Sequence, residues 1–165
     1  MRWLFTVATL LVAAFLAACS SPAPAPYQPA VARLFLEAKP GEPGLEVTLP
    51  ESGVTLTVGA KPVFLESDVL NAEVVEVDLG RCLLVQLTSA AARDLYRLSV
   101  AARGRRLVLA VDNHLLGARR IDEPIADGRL LVFVEMPDGR LPTLVARLKR
   151  GVALLASAEP SGKPN

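Results

Sequence analysis

Apolar positions change their spacing several times along the 165 residues, and each change marks an element. Trp3 to Leu16 is an apolar run broken only by Thr6 and Thr9. From Val31 the period becomes two. In Val31 to Ala38, Arg33 and Glu37 fall on one side and Leu34 and Leu36 on the other, which predicts a strand. Lys39 to Gly44 reads as a loop. Leu45 to Leu49 and Val54 to Val58 flank Pro50-Glu51-Ser52-Gly53 and predict a hairpin. Val63 to Leu65 is a short apolar segment, and Ser67 or Asp68 is placed to cap one helical turn before Glu73. Glu73 to Leu79 alternates again, Gly80-Arg81 predicts a turn, and Cys82 to Leu87 is apolar enough for a more fully buried strand.

The period then lengthens. Thr88 or Ser89 is placed to cap a helix through Arg103, closed by Gly104 at C′. Ala92, Leu95, Tyr96, Ser99 and Ala102 are expected on its buried stripe, with Arg93, Asp94 and Arg97 in water. Leu107 to Val111 and Leu115 to Ile121 predict strands around an Asp112-Asn113 turn, and Leu130 to Glu135 another. Pro137-Asp138-Gly139 breaks the chain. Leu141, Leu144, Val145 and Leu148 then stripe a last helix expected to end at Gly151, with residues 157–165 disordered. No internal repeat is present. Together these elements predict one α+β domain over residues 31–156, an antiparallel β-sheet with two main helices packed on one face.

Charge and small residues change the picture at the N-terminal end. Arg2, the apolar run and the small residues after it have the three-part layout of a signal peptide over residues 1–18. The run is shorter than the roughly 20 apolar residues of a spanning helix. Leu16-Ala17-Ala18-Cys19 resembles the lipobox of bacterial lipoproteins. The resemblance implies a diacylglycerol on the Cys19 thiol, cleavage before Cys19 and an N-acyl lipid on the new amine, with no other cofactor. Ser20 resembles the outer-membrane sorting pattern of two-membrane bacteria, which implies lipid anchoring in the cell envelope at the periplasmic face of the outer membrane. Residues 19–30 then carry the lipidated cysteine and a Pro/Ala tether. At roughly 3 Å per residue such a tether lifts the domain about 30 Å from the bilayer.

Loss of residues 1–18 removes only Arg2 among the 18 basic residues, leaving 147 residues with 17 charges of each sign. That balance argues against nucleic acid as a partner. Cys82, the one other cysteine, would have no disulfide partner and lies in an apolar run, so a buried, inert thiol is expected.

One longer stretch carries a resemblance. Gly104-Arg105-Arg106-Leu107-Val108-Leu109-Ala110-Val111-Asp112, then His114 to Ala118, then Ile121-Asp122-Glu123-Pro124-Ile125-Ala126-Asp127-Gly128 resembles the head subdomain of the first periplasmic domain of SecD, in the SecDF family. The helix before it fits at Thr88, Ala91, Ala92, Leu95 and Ser99, and Lys61-Pro62-Val63 resembles the entry to that subdomain. The resemblance covers roughly residues 61–150. It implies the fold and, more weakly, contact with other polypeptides. Asn113, Arg119 and Asp127 depart from the family pattern, where a turn glycine, a proline and one glycine of a pair stand. No spanning helix is expected after residue 19, so the family's proton-driven motor is not implied.

Catalytic residues are not expected. His114 lies beside the turn, and no second histidine or free cysteine is placed to complete a metal site. Ser99, His114 and Asp112 could be written as a triad, but no nucleophile-elbow motif accompanies them. Arginines are the more informative group. A two-residue turn at Asp112-Asn113 sets Arg105 opposite Arg120 and Arg106 opposite Arg119, like charges that need neutralising. Local pairing with Asp94, Asp122 or Glu123 is one account. A patch of Arg103, Arg105, Arg106, Arg119 and Arg120 for an acidic partner is the other. An exposed sheet edge offers a further route, pairing with an extended peptide. The resulting expectation is a non-enzymatic lipoprotein that binds a protein or unfolded peptide, in protein export or envelope assembly, with no small-molecule substrate. A purely structural envelope lipoprotein is the alternative.

Overall fold

In the computed structural model, which describes residues 28–158, the expected strands form in their expected order. They are β1 (Ala32–Leu36), β2 (Leu45–Thr48), β3 (Thr55–Val58), β4 (Val69–Val77), β5 (Gly80–Leu87), β6 (Arg106–Val111), β7 (His114–Arg120) and β8 (Arg129–Val132). Helix α1 (Ser89–Ala101) lies between β5 and β6, and α2 (Leu141–Ala158) comes last. The expected signal peptide, Cys19, the tether up to residue 27 and the tail from residue 159 lie outside the described residues.

Pairing among the strands is antiparallel throughout. The strands make two three-stranded sheets, β1-β6-β7 and β4-β5-β8, and a separate β2-β3 hairpin, rather than one sheet. A single bridge, Gly117 to Val134, joins the two larger sheets. A side chain at Gly117 would overlap the Phe133 carbonyl, so only glycine allows the two backbones to meet there.

Strand β6 is the centre of the packing, with Leu107 to Val111 all buried. Leu107, Leu109 and Val111 face a core that includes Leu34, Leu83, Val85 and Leu130, together with Leu95 of α1 and Leu148 of α2. Both helices therefore feed one core. Val108 faces the other way, onto Leu49, Leu56 and Val58 with Phe35 and Leu115 beside it. The β2-β3 hairpin covers that second face. Each fully buried Leu or Val contributes roughly 1.5–3 kcal/mol.

Several boundaries differ from expectation for local reasons. In α1, Thr88 is the N-cap and its Oγ1 accepts from the Ala91 N–H at 3.3 Å. The buried stripe is Ala91, Leu95, Ser99 and Ala102, so Tyr96, expected inside, is 47% exposed. Ser99 enters the core because its hydroxyl donates to the Tyr96 carbonyl and accepts from the Ile125 N–H at 2.8 Å. Ala102 is the C-cap, which places Gly104 one residue beyond C′. The chain reverses at Asp78-Leu79, not Gly80-Arg81, because Gly80 already pairs with Val77. The single helical turn is a 3₁₀ turn over Glu66–Asp68, with Ser67 and Asp68 inside it and the Asp68 carboxylate accepting from the Leu65 N–H at 2.8 Å. Cys82 is fully buried and unpaired. Burial pushes its thiol pKa up, against the opposing pull of Arg119.

Gly151 does not end α2, which runs on through Ala158. It marks a close approach instead, since a Cβ there would overlap the Ala30 carbonyl oxygen. Ala30, assigned by sequence to the tether, is 2% exposed and donates its N–H to the Arg147 carbonyl at 3.0 Å. Gly151→Ala is expected to lower stability by about 1–3 kcal/mol, despite alanine's better helix propensity, because the N-terminal segment must move away. Gly139→Ala, where nothing lies within 4 Å of the added carbon, is the control. Chemical denaturation of both variants checks this, and equal midpoints would contradict it.

Candidate functional site

The β6-β7 hairpin, which carries three of the five predicted arginines with Arg105 directly before it, turns at Asp112 and Asn113, both with left-handed φ (49° and 64°). That is the backbone of a two-residue primed turn, and Asp and Asn tolerate it best after glycine. Val111 pairs with His114 as expected, but a bulge between Leu109 and Ala110 adds Leu116 to β7 without a partner. An extra residue shifts every later pair by one. Arg106 therefore faces Arg120 and Leu107 faces Arg119, instead of Arg105 facing Arg120 and Arg106 facing Arg119.

Each like-charged neighbour in the pair has its own carboxylate. The Arg106 backbone N–H and Nη1 donate to Glu37 at 2.8 and 3.1 Å, and Arg120 lies 3.3 Å from Asp122. The charges run Glu37, Arg106, Arg120, Asp122 across the sheet. The Arg105 guanidinium donates through both Nε and Nη2 to the Glu37 backbone carbonyl, the Nε bond at 2.6 Å, with Glu42 at 3.9 Å. Arg103 donates to the Asp122 carbonyl at 3.0 and 3.2 Å. Arg119 points off the other face of β7, to the Leu131 carbonyl at 3.2 Å. The structure thus gathers four of the five arginines and separates Arg119. Asp94 pairs with Arg97 at 3.5 Å rather than with the cluster. Glu37 and Glu42 were missed as partners because they sit on the far side of the sequence, with no local signal.

Asp112 has a role that its turn position hid. Its Oδ1 accepts from the Val31 N–H at 3.0 Å and its Oδ2 from Arg147 at 2.6 Å, while Arg147 Nε reaches the Gln28 carbonyl at 3.1 Å. That carboxylate fastens the entering chain to α2. Ser99 is committed to Ile125, and the His114 Nδ1 lies 2.9 Å from the Asp112 backbone carbonyl, so these three side chains do not converge as a triad. Among the described residues, no three His, Cys, Asp or Glu side chains cluster as a metal site requires.

The other surface of note lies along β4. Its inner neighbour is β5, and among the described residues nothing pairs with its outer side. In the other sheet, the outer edge of β1 is bridged instead, Leu34 to Phe64 and, just past the strand, Glu37 to Val58. Beside β4, on the face of its sheet away from the helices, Val75, Val77, Leu84 and Leu131 line a groove of about 530 Å³ with Arg119, Arg129 and the segment Glu123 to Asp127 around it. The turn before β4 is fastened by Arg33 of β1, whose Nε and Nη2 meet the Glu66 carboxylate at 2.7 and 3.0 Å. Hydrogen bonding to Arg33 holds the Glu66 pKa down at about 2.

With this geometry in place, comparison with known proteins points one way. No family model matches the sequence, and no curated protein matches it. Solved structures that share the fold include that of a membrane component, SecDF, that enhances protein export, and that of SecDF in its super-membrane-facing form. The first has a TM-score of 0.58 at 18% identity, the second 0.60 at 16%, and each likeness covers 76% of this chain. The domain has a SecD-like fold. It spans 64% of the first SecDF chain and 19% of the second. Because the likeness exceeds what residues 61–165 alone could supply, it takes in residues before the stretch that carries the sequence resemblance. Among the described residues, no helix is long and apolar enough to cross a membrane.

The charge row makes a signed prediction. Arg106→Glu sets a carboxylate against Glu37 and is expected to cost about 1–3 kcal/mol, whereas Arg120→Glu gains Arg106 as it loses exposed Asp122 and stays within about 0.5 kcal/mol. Denaturation midpoints decide it, and equal losses would refute the bulged register. Glu66 adds a pH dependence. Its folded pKa is depressed, so its contribution is present above the ordinary carboxylate value and is lost as pH falls toward about 2. Glu66→Gln should flatten the acid limb of a stability–pH curve across that window and leave the neutral limb parallel to the parent's.

Proposed function

We propose that this protein is a non-enzymatic, lipid-anchored envelope module that binds protein or unfolded polypeptide through its SecD-like domain, in protein export or envelope assembly. The observation that carries this reading is the SecDF fold, found over three-quarters of the chain in a component that enhances protein export. Fold alone does not fix function. Support comes also from the signal-like layout ending at Cys19 and from the unpaired β4 edge. On this reading Cys19 carries the lipid at the periplasmic face of the outer membrane, and the membrane contact requires nothing of the folded domain. The arginine cluster, with an acceptor for every guanidinium, serves the fold first. An acidic partner would have to compete with Glu37 and Asp122 for it.

Two measurements test the proposal. Fatty-acid label should enter the protein and be lost in Cys19→Ser; equal labelling of both defeats the anchor. A photo-crosslinker placed in turn across the surface of the full chain in cells should capture polypeptides in transit or export components. Capture of only a fixed set of outer-membrane proteins would favour a purely structural role.

A further inference from the structure

We infer that the solvent-facing side of α2, through Lys149, Arg150 and Leu154, docks on an anionic phospholipid surface and so sets which side of the domain faces the membrane. The inference rests on the lipid-anchored reading above and deepens it. The anchor holds without this contact, and the contact supplies orientation. Residues 139–158 carry Arg140, Arg147, Lys149 and Arg150 and no acidic residue, in a chain of formal net charge +1. Helix α2 packs one side against β4 and buries Leu141, Leu144, Leu148 and Gly151. Lys149, Arg150, Ala153, Leu154 and Ser157 are left exposed on the other side. Arg147 is committed to Asp112 at 2.6 Å, and the second oxygen of that carboxylate accepts from the Val31 N–H. Lys149 and Arg150 have no ion pair among the described residues. Glu159 and Lys163, next along the sequence, offset each other in charge. Leu154, four residues after Arg150, is 49% exposed. Cations with an apolar side chain among them on one helix face suit an interface of acidic headgroups and acyl chains.

Position selects a lipid surface over an acidic protein as the occupant. The chain that leads from Cys19 enters the domain along this same helix. Ala30 packs at Gly151, the residue after Arg150, and the Gln28 carbonyl accepts from Arg147, three residues before it. Residues 19–27 separate that point from the lipid, so the bilayer lies within about 30 Å of α2 however the tether runs. Attachment at that range makes docking intramolecular, at an effective lipid concentration high enough to populate a weak contact. Each cation near an anionic leaflet adds roughly fivefold, so the two together favour the docked domain by roughly thirtyfold.

The test uses the full chain purified from cells in detergent and reconstituted through its own anchor into vesicles. These are phosphatidylcholine alone or with roughly 30 mol% phosphatidylglycerol, both with a quencher on a lipid headgroup. A maleimide fluorophore is placed on Ser157→Cys, on the proposed face, or on Glu46→Cys, in the β2-β3 layer on the opposite side of β6. In phosphatidylglycerol vesicles, quenching at 157 should exceed that at 46 by about threefold or more. The excess should vanish in phosphatidylcholine alone, at about 0.5 M salt, and in the Lys149→Glu/Arg150→Glu variant, whose melting should match the parent's. Equal quenching at the two sites, or an excess that survives any of these changes, would overturn this face alone. Without an added cysteine the chain, its Cys82 fully buried, should take no fluorophore. Labelling at Cys19 would defeat the anchor reading beneath the inference.

Discussion

Burial of β6 on both faces is the constraint around which the rest is arranged. A strand whose five residues Leu107 to Val111 all lack solvent must have a layer on each side and a paired strand on each edge. Helices α1 and α2 with the second sheet supply one layer, and the β2-β3 hairpin supplies the other. β1 and β7 supply the edges. The hairpin is itself held at its tip by Glu135. Burial would push that carboxyl's pKa up, but donors from Ser52 and Glu51 outweigh it and hold the pKa below its ordinary value. Thus the layer over Val108 is fixed at its far end by a charged group from the chain just past β8.

How much of this was legible in the sequence depended on how local each cause was. Two-residue alternation located the strands, and Thr88 marked the start of α1, because strand period and N-cap chemistry involve neighbours only. Tyr96 was assigned to the wrong side of α1 because an amphipathic stripe can rotate by a position with little change in its periodicity. What decided the rotation was Ser99 finding Ile125, 26 residues away. The two-residue turn at Asp112-Asn113 was read correctly, yet the arginine register beyond it was not, since one unpaired residue at Leu116 alters the facing pairs without altering composition. Gly151 read as a stop because glycine after an apolar stripe usually is one. Its actual cause is the backbone at Ala30, more than a hundred residues earlier, which no local window contains.

The candidate sites divide on the same principle. A run of arginines near one hairpin invites a binding patch when counted along the chain, but in space four of them alternate with Glu37 and Asp122 or meet backbone carbonyls. Their charge is largely spent inside the protein. Strand β4 has the opposite balance. Its outer backbone groups have no partner strand among the described residues, although Glu73 accepts from Asn71 and Glu76 lies 3.9 Å from Arg81, and unsatisfied groups, rather than numerous ones, are what a partner can reward.

The position where the chain enters the domain bears on the proposed anchor. A pull on a lipid-bearing tether would reach the fold at Gln28 to Val31, directly ahead of β1. There it meets the Ala30 bond to Arg147, the two bonds between Val31 and Asp112, and Arg147 bonding both Gln28 and the Asp112 carboxylate. Behind them β1 is paired with β6 at five consecutive positions. Force along β1 therefore loads a ladder of hydrogen bonds in parallel, with the most buried strand as its support, instead of peeling a free edge one bond at a time. The entry is fastened at the stiffest part of the domain, while β4 lies in the other sheet and is tied to that support by α2, which holds Ala30 and packs against β4, and by the Gly117 bridge, the Arg33–Glu66 pair and the shared core.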